Sequence, residues 1–442
     1  MNPVAWPRVK GNAALVRATS EAVTSHRDSP LKADRDLRSL TVRGNAPAFA
    51  KLLQTFILHI AILLFAALSA PALAASNSDV NALARLAGQG ERAAIVTLLG
   101  LARGGDAEAQ TQIGWLYYQG SVVQRNYPLA REWFLNAAAK DQAEAMNLLG
   151  HLYQEGLGTD RNYVEAARWY RQAADLGLAA AANNLGWLYL KGDGIEKNPA
   201  LAKEWFERAA DKGHAVALYN LGYLHAEGLG CEQDPERALV WYRKSAALGY
   251  PAAMRAIGWH YQEGQGVPQD YAAAKTWYEK AAAAGDLEAE AMIGQLFQHG
   301  RGVPRDLAAT RQHYEKAAKG GDAVGELLLG WLYQQGLGVT RDFAAALSWY
   351  RKSAEQGNAD AQNNLGYLYD EGFGVARDYK EAFAWYRKAA EQGQASALFN
   401  LGLMYEEGRG TARNVDEAFR YYRKAAERGH AQAKRILGEA GQ

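Results

Sequence analysis

The sequence has little of what several protein classes depend on. Its only cysteine is Cys231, so no disulfide forms within the chain and a disulfide-stapled scaffold is excluded. The net charge is +1, and beyond residue 51 the chain has forty Lys and Arg compared with forty-four Asp and Glu. This balance gives no sign of the clustered basic surface that nucleic-acid binding requires, so we expect no nucleic-acid partner.

Motifs for catalysis and metal binding are also missing from the sequence. It has no H-E-x-x-H, no phosphate-binding G-x-x-x-x-G-K-S/T and no metal-ligand cluster of histidines. The only S-x-x-K match runs from Ser29 to Lys32, in the polar segment that opens the chain. We therefore expect no enzymatic activity, no metal and no cofactor.

Long apolar runs are nearly absent, and the one long uncharged stretch covers residues 52–75. Lys51 precedes it, residues 56–68 form its apolar centre, and it ends in the small residues A-P-A-L-A-A. This pattern is typical of a secretory signal peptide cleaved after Ala74. We therefore expect a periplasmic or secreted protein.

Residues 1–51 fit this interpretation less well. They are polar and aperiodic, with nine Lys and Arg against four Asp and Glu, and no Met lies between Met1 and Met146. Either translation starts at a non-Met codon, such as that of Val42, or residues 1–51 are a cytoplasmic tail before a signal anchor. We expect a poorly ordered leader of doubtful translation, and membrane attachment only through residues 52–75 if they are not cleaved.

Glycine is plentiful, and ten glycines recur at a strict spacing of 36 residues, each after Leu or Ile. A fixed period of this size indicates a repeat array. The ten are Gly114, Gly150, Gly186, Gly222, Gly258, Gly294, Gly330, Gly366, Gly402 and Gly438.

Each period predicts two helices, which we call helix A and helix B. In the second period Ala145, Leu149 and Tyr153 share one face of helix A, and Gly156 ends it. Helix B begins after an Asp or Asn, the preferred N-cap residues, in all nine units. The nine predicted caps are Asn126, Asn162, Asn198, Asp234, Asp270, Asp306, Asp342, Asp378 and Asn414.

Two further positions carry packing predictions. Seven units have Trp at one position of helix B, as at Trp169, and its place in an amphipathic stripe predicts a core side chain. The glycine after each Leu lies within helix A, where it costs about 1 kcal/mol relative to alanine. We expect a compensating close approach of a neighbouring helix, with small Ala residues opposite the glycine.

The combined pattern, A-x-x-x-L-G-x-x-Y-x-x-G-x-G followed by D/N-x-x-x-A-x-x-W-Y-x-x-A-A-x-x-G, resembles the Sel1-like repeat family, relatives of the tetratricopeptide repeat. Nine units cover residues 106–429, residues 79–105 are expected to be N-terminal capping helices, and residues 430–442 a C-terminal capping helix. The resemblance implies an all-α, right-handed superhelical α/α solenoid of nine 36-residue helix-turn-helix repeats. It also implies a scaffold role in protein–protein interaction.

In such a solenoid the residues on either side of each Leu-Gly point into a concave groove. In related tetratricopeptide modules an Asn at the preceding position binds the backbone of a peptide, and aromatic residues are common interface anchors. The alternative is that the Asn side chains are merely solvated and the Trp side chains only shield neighbouring helices. The candidate partner-binding residues are Trp115, Asn184, Trp187, Asn220, Tyr223, Trp259, Trp331, Asn364, Tyr367 and Asn400.

Two functions remain open. The first is an exported scaffold that binds a protein or peptide segment in the groove. The second is a module that binds cell-wall glycan or peptidoglycan, because exported Trp, Tyr and Asn side chains also stack on and bind sugars. The sequence specifies a surface without identifying its partner.

Overall fold

The computed structural model describes residues 77–440, and the predicted leader and signal segment, residues 1–51 and 52–75, lie outside them. All regular structure in the described range is α-helical. The helices are α1 (Asn77–Gly88), α2 (Arg92–Arg103), α3 (Ala107–Gln119), α4 (Tyr127–Ala138), α5 (Ala143–Glu155), α6 (Tyr163–Asp175), α7 (Ala179–Lys191), α8 (Pro199–Ala210), α9 (Ala215–Glu227), α10 (Pro235–Ala247), α11 (Pro251–Glu263), α12 (Tyr271–Ala283), α13 (Leu287–His299), α14 (Leu307–Lys319), α15 (Ala323–Gln335), α16 (Phe343–Glu355), α17 (Ala359–Glu371), α18 (Tyr379–Glu391), α19 (Ala395–Glu407), α20 (Val415–Glu427) and α21 (Ala431–Ala440).

These helices fall into two compact units, which we call the N-terminal unit (α1–α9, up to Gln233) and the C-terminal unit (α10–α21, from Asp234). Within each unit every helix packs against the next one along the chain. Helix A is the odd-numbered helix from α3 to α19, and helix B is the even-numbered helix that follows it. The predicted all-α solenoid is confirmed.

The start of helix B is capped as the sequence predicts. The side chain at each of the nine predicted cap positions accepts a hydrogen bond from a backbone N–H two or three residues later. Asn162 Oδ1, for example, accepts from Glu165 N at 3.0 Å. The preceding turn needs left-handed backbone, which Gly156 (φ 70°) and Gly158 (φ 66°) supply without the steric cost of a Cβ atom.

The glycine within helix A makes room for an aromatic ring. A Cβ atom added to Gly150 would lie 2.5 Å from the ring of Tyr170 in helix B, and one added to Gly186 would lie 2.8 Å from the ring of Phe206. The predicted close approach is therefore present. The expected small Ala residue also lies opposite the glycine, since the carbonyl oxygen of Ala202 would be 3.0 Å from a Cβ atom added to Gly186. The aromatic ring, which the sequence did not predict there, takes the space that the Cβ atom would need.

The same ring corrects the prediction for the Trp position. The residue after the Trp, Tyr or Phe, is fully buried, as at Tyr350, whereas Trp349 is only half-buried. Of the seven helix B tryptophans only Trp205, 7% exposed, is buried. A basic side chain covers the outer ring face at several of them, with Lys352 Nζ 4.0 Å from the Trp349 ring centroid.

Five buried tyrosines in helix B each donate their hydroxyl to a side chain in helix A. The hydroxyl of Tyr314 donates to Gln298 Oε1 at 2.7 Å, and Gln298 lies sixteen residues earlier. Where helix B has Phe134 or Phe206, which has no hydroxyl to satisfy, the residue sixteen positions earlier is Tyr118 or Leu190. The hydrogen-bonded pairs are Tyr170–Gln154, Tyr278–Gln262, Tyr314–Gln298, Tyr350–Gln334 and Tyr422–Glu406.

Replacing Gln298 with leucine is expected to lower the free energy of unfolding by about 1–3 kcal/mol, because the fully buried Tyr314 hydroxyl would lose its acceptor. Adding Tyr314→Phe should recover most of that loss, since a phenyl ring needs no acceptor. A double-mutant cycle measured by urea denaturation checks this. Equal instability of the single Gln298→Leu and the double variant would contradict the pairing.

A group of charged side chains is buried in the C-terminal unit. Arg255 Nε donates to Asp286 Oδ2 at 2.9 Å, and Arg255 Nη2 lies 3.1 Å from Glu288 Oε2. Each of these side chains is less than a tenth exposed. Burial raises the pKa of Glu288 and of Asp322, and the positive charge of Arg255 opposes this shift at both carboxyls. Arg255 therefore stabilises the ionised carboxylates inside the unit.

Candidate partner-binding surface

The residue after each Leu-Gly retains accessible surface in all nine repeats, although the Leu or Ile and Gly before it are buried. We call these residues the helix A row. Tyr367 is the most accessible, with 37% of its surface exposed, and the other members are half-buried. The row consists of Trp115, His151, Trp187 and Tyr223 in the N-terminal unit and of Trp259, Gln295, Trp331, Tyr367 and Leu403 in the C-terminal unit.

An aromatic cluster forms at the first two members of the row. The ring of Trp115 stacks on Tyr118 with centroids 5.1 Å apart, and Tyr118 meets His151 edge-on at 5.9 Å. The Tyr118 hydroxyl lies 3.4 Å from His151 Nδ1. Burial raises the pKa of Tyr118 to about 12 and lowers the pKa of His151, so both side chains are neutral near pH 7.

Farther along the N-terminal unit, the row has charged neighbours. Lys191 Nζ lies 5.0 Å from the ring centroid of Trp187, four residues before it. Tyr223 has Glu227 in the corresponding place. Burial raises the pKa of Tyr223, and the negative charge of Glu227 adds to that effect.

In the C-terminal unit Trp259 lies on a buried histidine. Its ring meets His260 edge-on at 5.2 Å, and His260 is 2% exposed. His260 Nδ1 donates to the carbonyl oxygen of Gln265 at 2.8 Å. Burial lowers the pKa of His260, so it is neutral near pH 7. The ring in contact with Trp259 is therefore the uncharged imidazole of His260, which is held by a hydrogen bond to the backbone.

Trp331 and Tyr367 differ in how far the core holds them. Trp331 packs against the two buried clusters built around Tyr314 and Tyr350. Tyr367 meets Phe373 edge-on at 5.9 Å. Tyr367 is therefore the row member that a ligand reaches most easily, while Trp331 also contributes to the core.

Each candidate asparagine of the N-terminal unit donates a hydrogen bond to an asparagine of the preceding repeat. Asn184 Nδ2 donates to Asn147 Oδ1 at 3.0 Å, and Asn220 Nδ2 donates to Asn183 Oδ1 at 2.9 Å. Asn220 has no exposed surface at all. A ligand therefore has no access to Asn220, and the amide of Asn184 is already used within the protein.

In the C-terminal unit the same connection joins Asn400 Nδ2 to Asn363 Oδ1 at 3.1 Å. Asn364 Oδ1 accepts a long bond, 3.4 Å, from Asn363 Nδ2, and its side chain also forms a hydrogen bond that lowers the pKa of the buried Tyr350, against the larger effect of burial. The donor and acceptor in the inter-repeat bonds lie 37 residues apart, which is one residue more than the repeat. The signal in the sequence was therefore an Asn in one repeat followed by an Asn one position later in the next repeat. Asn364, like the other candidate asparagines, is therefore engaged with side chains of the chain itself.

Carboxylates follow the row at a spacing that the sequence analysis missed. Glu227, Glu263 and Glu371 each lie four residues after an aromatic member, which places ring and carboxylate on the same helix face. None of the three forms an ion pair with a Lys or Arg of the described chain. The signal available in the sequence was the aromatic-x-x-x-Glu spacing.

Other kinds of site find little support in residues 77–440. Within that range no three His, Cys, Asp or Glu side chains are grouped so as to hold a metal ion. No helix there has both the length and the apolar character needed to cross a membrane.

The chain matches the Sel1 repeat family model over most of its length. The nine matched segments are residues 107–142, 143–178, 179–214, 215–250, 251–286, 287–322, 323–358, 359–394 and 395–430. No curated protein matches the chain.

Solved structures include two Sel1-type relatives. One is a protective antigen present in uropathogenic Escherichia coli strains and displaying an SLR fold, with 33% identity over 78% of this chain and 82% of that chain and a TM-score of 0.51. The other is a Sel1 repeat protein from Oxalobacter formigenes, with 31% identity over 70% of this chain and 89% of that chain and a TM-score of 0.48.

The repeat register, the helix caps and the helix A glycines that contact helix B rings all indicate the same repeat as the family match. The family model covers well over half of the chain, and the Escherichia coli relative is more than 30% identical over most of its own length. The chain belongs to the Sel1 repeat family, whose solenoid is a protein–protein interaction fold.

Proposed function

We propose that this protein is an exported scaffold that binds a segment of a partner protein along the helix A row. One observation carries the proposal: the row stays accessible in all nine repeats although the residues before it are buried. Within each unit, such a surface places apolar and amphipathic contacts at a regular spacing, which suits an extended partner. Export is supported by the signal-peptide pattern of residues 52–75.

A protein segment suits the row better than a glycan. Sugar recognition relies on polar side chains beside the aromatic rings, and the amides nearest the row are occupied by each other, as Asn184 and Asn147 are. The carboxylates beside Tyr223, Trp259 and Tyr367 instead offer charge to a charged partner. Glycan binding is the alternative, and sedimentation of the protein with insoluble peptidoglycan tests it.

The test combines substitution with crosslinking in the native cell. A photo-crosslinking residue at position 367 is expected to give a discrete crosslinked partner, because Tyr367 is the most accessible member of the row. The same residue at position 240, an exposed Val on helix B, should not. Mass spectrometry of the crosslinked band identifies the partner.

Replacing Trp259 with alanine together with Tyr367→Ala is expected to abolish partner capture while the array remains folded, since both side chains are accessible. Trp277→Ala is the matched control, because Trp277 is a half-buried Trp of the same repeat on helix B. Capture that survives loss of the two row residues, or is equally lost in the control, would refute the proposal. Circular dichroism of each variant checks the fold.

A further inference from the structure

Two features of the helix A row point to the chemistry of its partner. The first is the pairing of an aromatic ring with a glutamate four residues later, at Trp259 with Glu263 and at Tyr367 with Glu371 in the C-terminal unit. Tyr367 and Glu371 lie one helical turn apart on α17, so ring and carboxylate share a face, and the charge of Glu371 adds to the effect of burial in raising the pKa of Tyr367. Neither glutamate is neutralised by a Lys or Arg of the described chain.

The second feature is that the protein already places cations over its indole rings. Lys191 Nζ covers Trp187 in the one Trp-bearing repeat that has Lys at the fourth position after the ring. On helix B, Lys280 Nζ lies 4.1 Å from the Trp277 centroid. Trp259 has a glutamate where Trp187 has a lysine, and no cation of the described chain lies over its ring.

We propose that the pairs Trp259/Glu263 and Tyr367/Glu371 are two subsites that each bind an Arg or Lys side chain of the partner segment. The partner's cation lies over the ring, as Lys191 lies over Trp187. It also pairs with the carboxylate, which the Trp187 position does not have. This inference rests on the proposed function, since it names the class of segment that the row binds. Charge complementarity selects a basic segment, and Arg suits each subsite better than Lys because its planar guanidinium both stacks and forms paired hydrogen bonds.

The spacing of the two subsites sets the spacing of the two cations. Trp259 and Tyr367 are three repeats apart. Helix A of one repeat also contacts helix A of the next, as α13 and α15 do. Three such steps of roughly 8–10 Å put the subsites about 25–30 Å apart, and an extended chain of roughly 3.3 Å per residue covers that distance in about eight or nine residues. A decapeptide with a basic residue at each end therefore reaches both subsites.

The test uses such a peptide with the purified full chain. The probe is a fluorescein-labelled decapeptide with Arg at both ends and Gly and Ser between them, and its twin carries uncharged citrulline in place of each Arg. Fluorescence anisotropy at low ionic strength is expected to show the Arg peptide binding about tenfold or more tightly than the citrulline peptide. Added NaCl should weaken the binding, because exposed charge pairs are screened by salt.

A matched pair of variants assigns the binding to the subsites. The double variant Glu263→Gln/Glu371→Gln is expected to lower the affinity for the Arg peptide about tenfold. Glu236→Gln/Glu381→Gln removes the same charge from exposed positions on helix B and should leave the affinity unchanged. Thermal unfolding of both variants checks that neither loses the fold.

Three outcomes would overturn the inference: equal binding of the Arg and citrulline peptides, no binding of either, or equal loss in the two double variants. None of these outcomes affects the crosslinking of a native partner at position 367 or its loss in the Trp259→Ala/Tyr367→Ala variant. A failure of the basic-segment inference is therefore distinguishable from a failure of the scaffold proposal.

Discussion

Replacing Arg255 with methionine is expected to lower the free energy of unfolding of the C-terminal unit by about 3–5 kcal/mol at neutral pH, because the buried carboxylates of Asp286 and Glu288 would lose their hydrogen-bonded cation. Both carboxylates are nearly inaccessible to water, so solvent does not replace the lost partner. Urea denaturation followed by hydrogen exchange across residues 250–325 measures the loss. An Arg387→Met variant is the control, since Arg387 and its partner Glu391 are both well exposed and such pairs contribute under about 1 kcal/mol.

The loss is also expected to depend on pH. Burial has already raised the pKa of Glu288 and of Asp322 above their ordinary values, and removing Arg255 raises both further. A carboxyl whose pKa is higher in the folded state destabilises the fold at neutral pH, and this penalty is relieved as pH falls through the folded pKa, because the folded state then binds the extra proton. The difference between wild type and Arg255→Met should therefore be smaller at pH 5 than at pH 8. An equal difference at both would show that the carboxylates do not cause it.

Replacing Gly294 with alanine is expected to lower the free energy of unfolding by about 2–3 kcal/mol, because the new Cβ atom would lie 2.5 Å from the ring of Tyr314. Tyr314 is fully buried and its hydroxyl is held by Gln298, so the ring has no free direction in which to move. The substitution opposes the usual trend, since alanine stabilises an exposed helix interior by about 1 kcal/mol relative to glycine.

The chain supplies its own control for this prediction. Gly438 has the same place in the 36-residue register, but it lies in α21, after which no helix B is described, and an added Cβ atom would meet nothing within 4 Å. Gly438→Ala is therefore expected to leave stability unchanged or to raise it slightly. Thermal denaturation of the two variants compares them directly. A similar small effect at both positions would show that the ring does not require glycine.

Much of the fold follows from local chemistry that the sequence displays. The helix boundaries agree with the Asp and Asn caps, such as Asn162, and with the turn glycines, because caps and left-handed turns depend on only a few consecutive residues. The 36-residue period identified the array for the same reason: it needs no knowledge of what packs on what. The period also defined the row, since the register of Leu-Gly marks the same position in every helix A.

The errors arose where two elements meet. Trp349 and Tyr350 are neighbours in one amphipathic stripe, and helical periodicity alone does not say which of them points at the glycine of helix A. Packing decides which ring contacts the glycine. The ring of Tyr350 fills the space beside Gly330, and its hydroxyl donates to Gln334 Oε1. Trp349 is left at the rim, where Lys352 covers its outer face.

The candidate surface divides in the same way. The 36-residue register identified the position after Leu-Gly as the candidate surface in every repeat. The sequence also shows that Trp259 and Tyr367 stand at that position. Only the tertiary structure showed that Asn220 is inaccessible and bonded to Asn183 of the preceding repeat, because a hydrogen bond between residues 37 apart depends on how consecutive repeats stack. By itself the sequence determined the repeat, its caps and its turns, which are local. The tertiary structure decided which side chains form hydrogen bonds between repeats and which remain accessible to a partner. These depend on the distances between helices, and a local sequence pattern does not contain those distances.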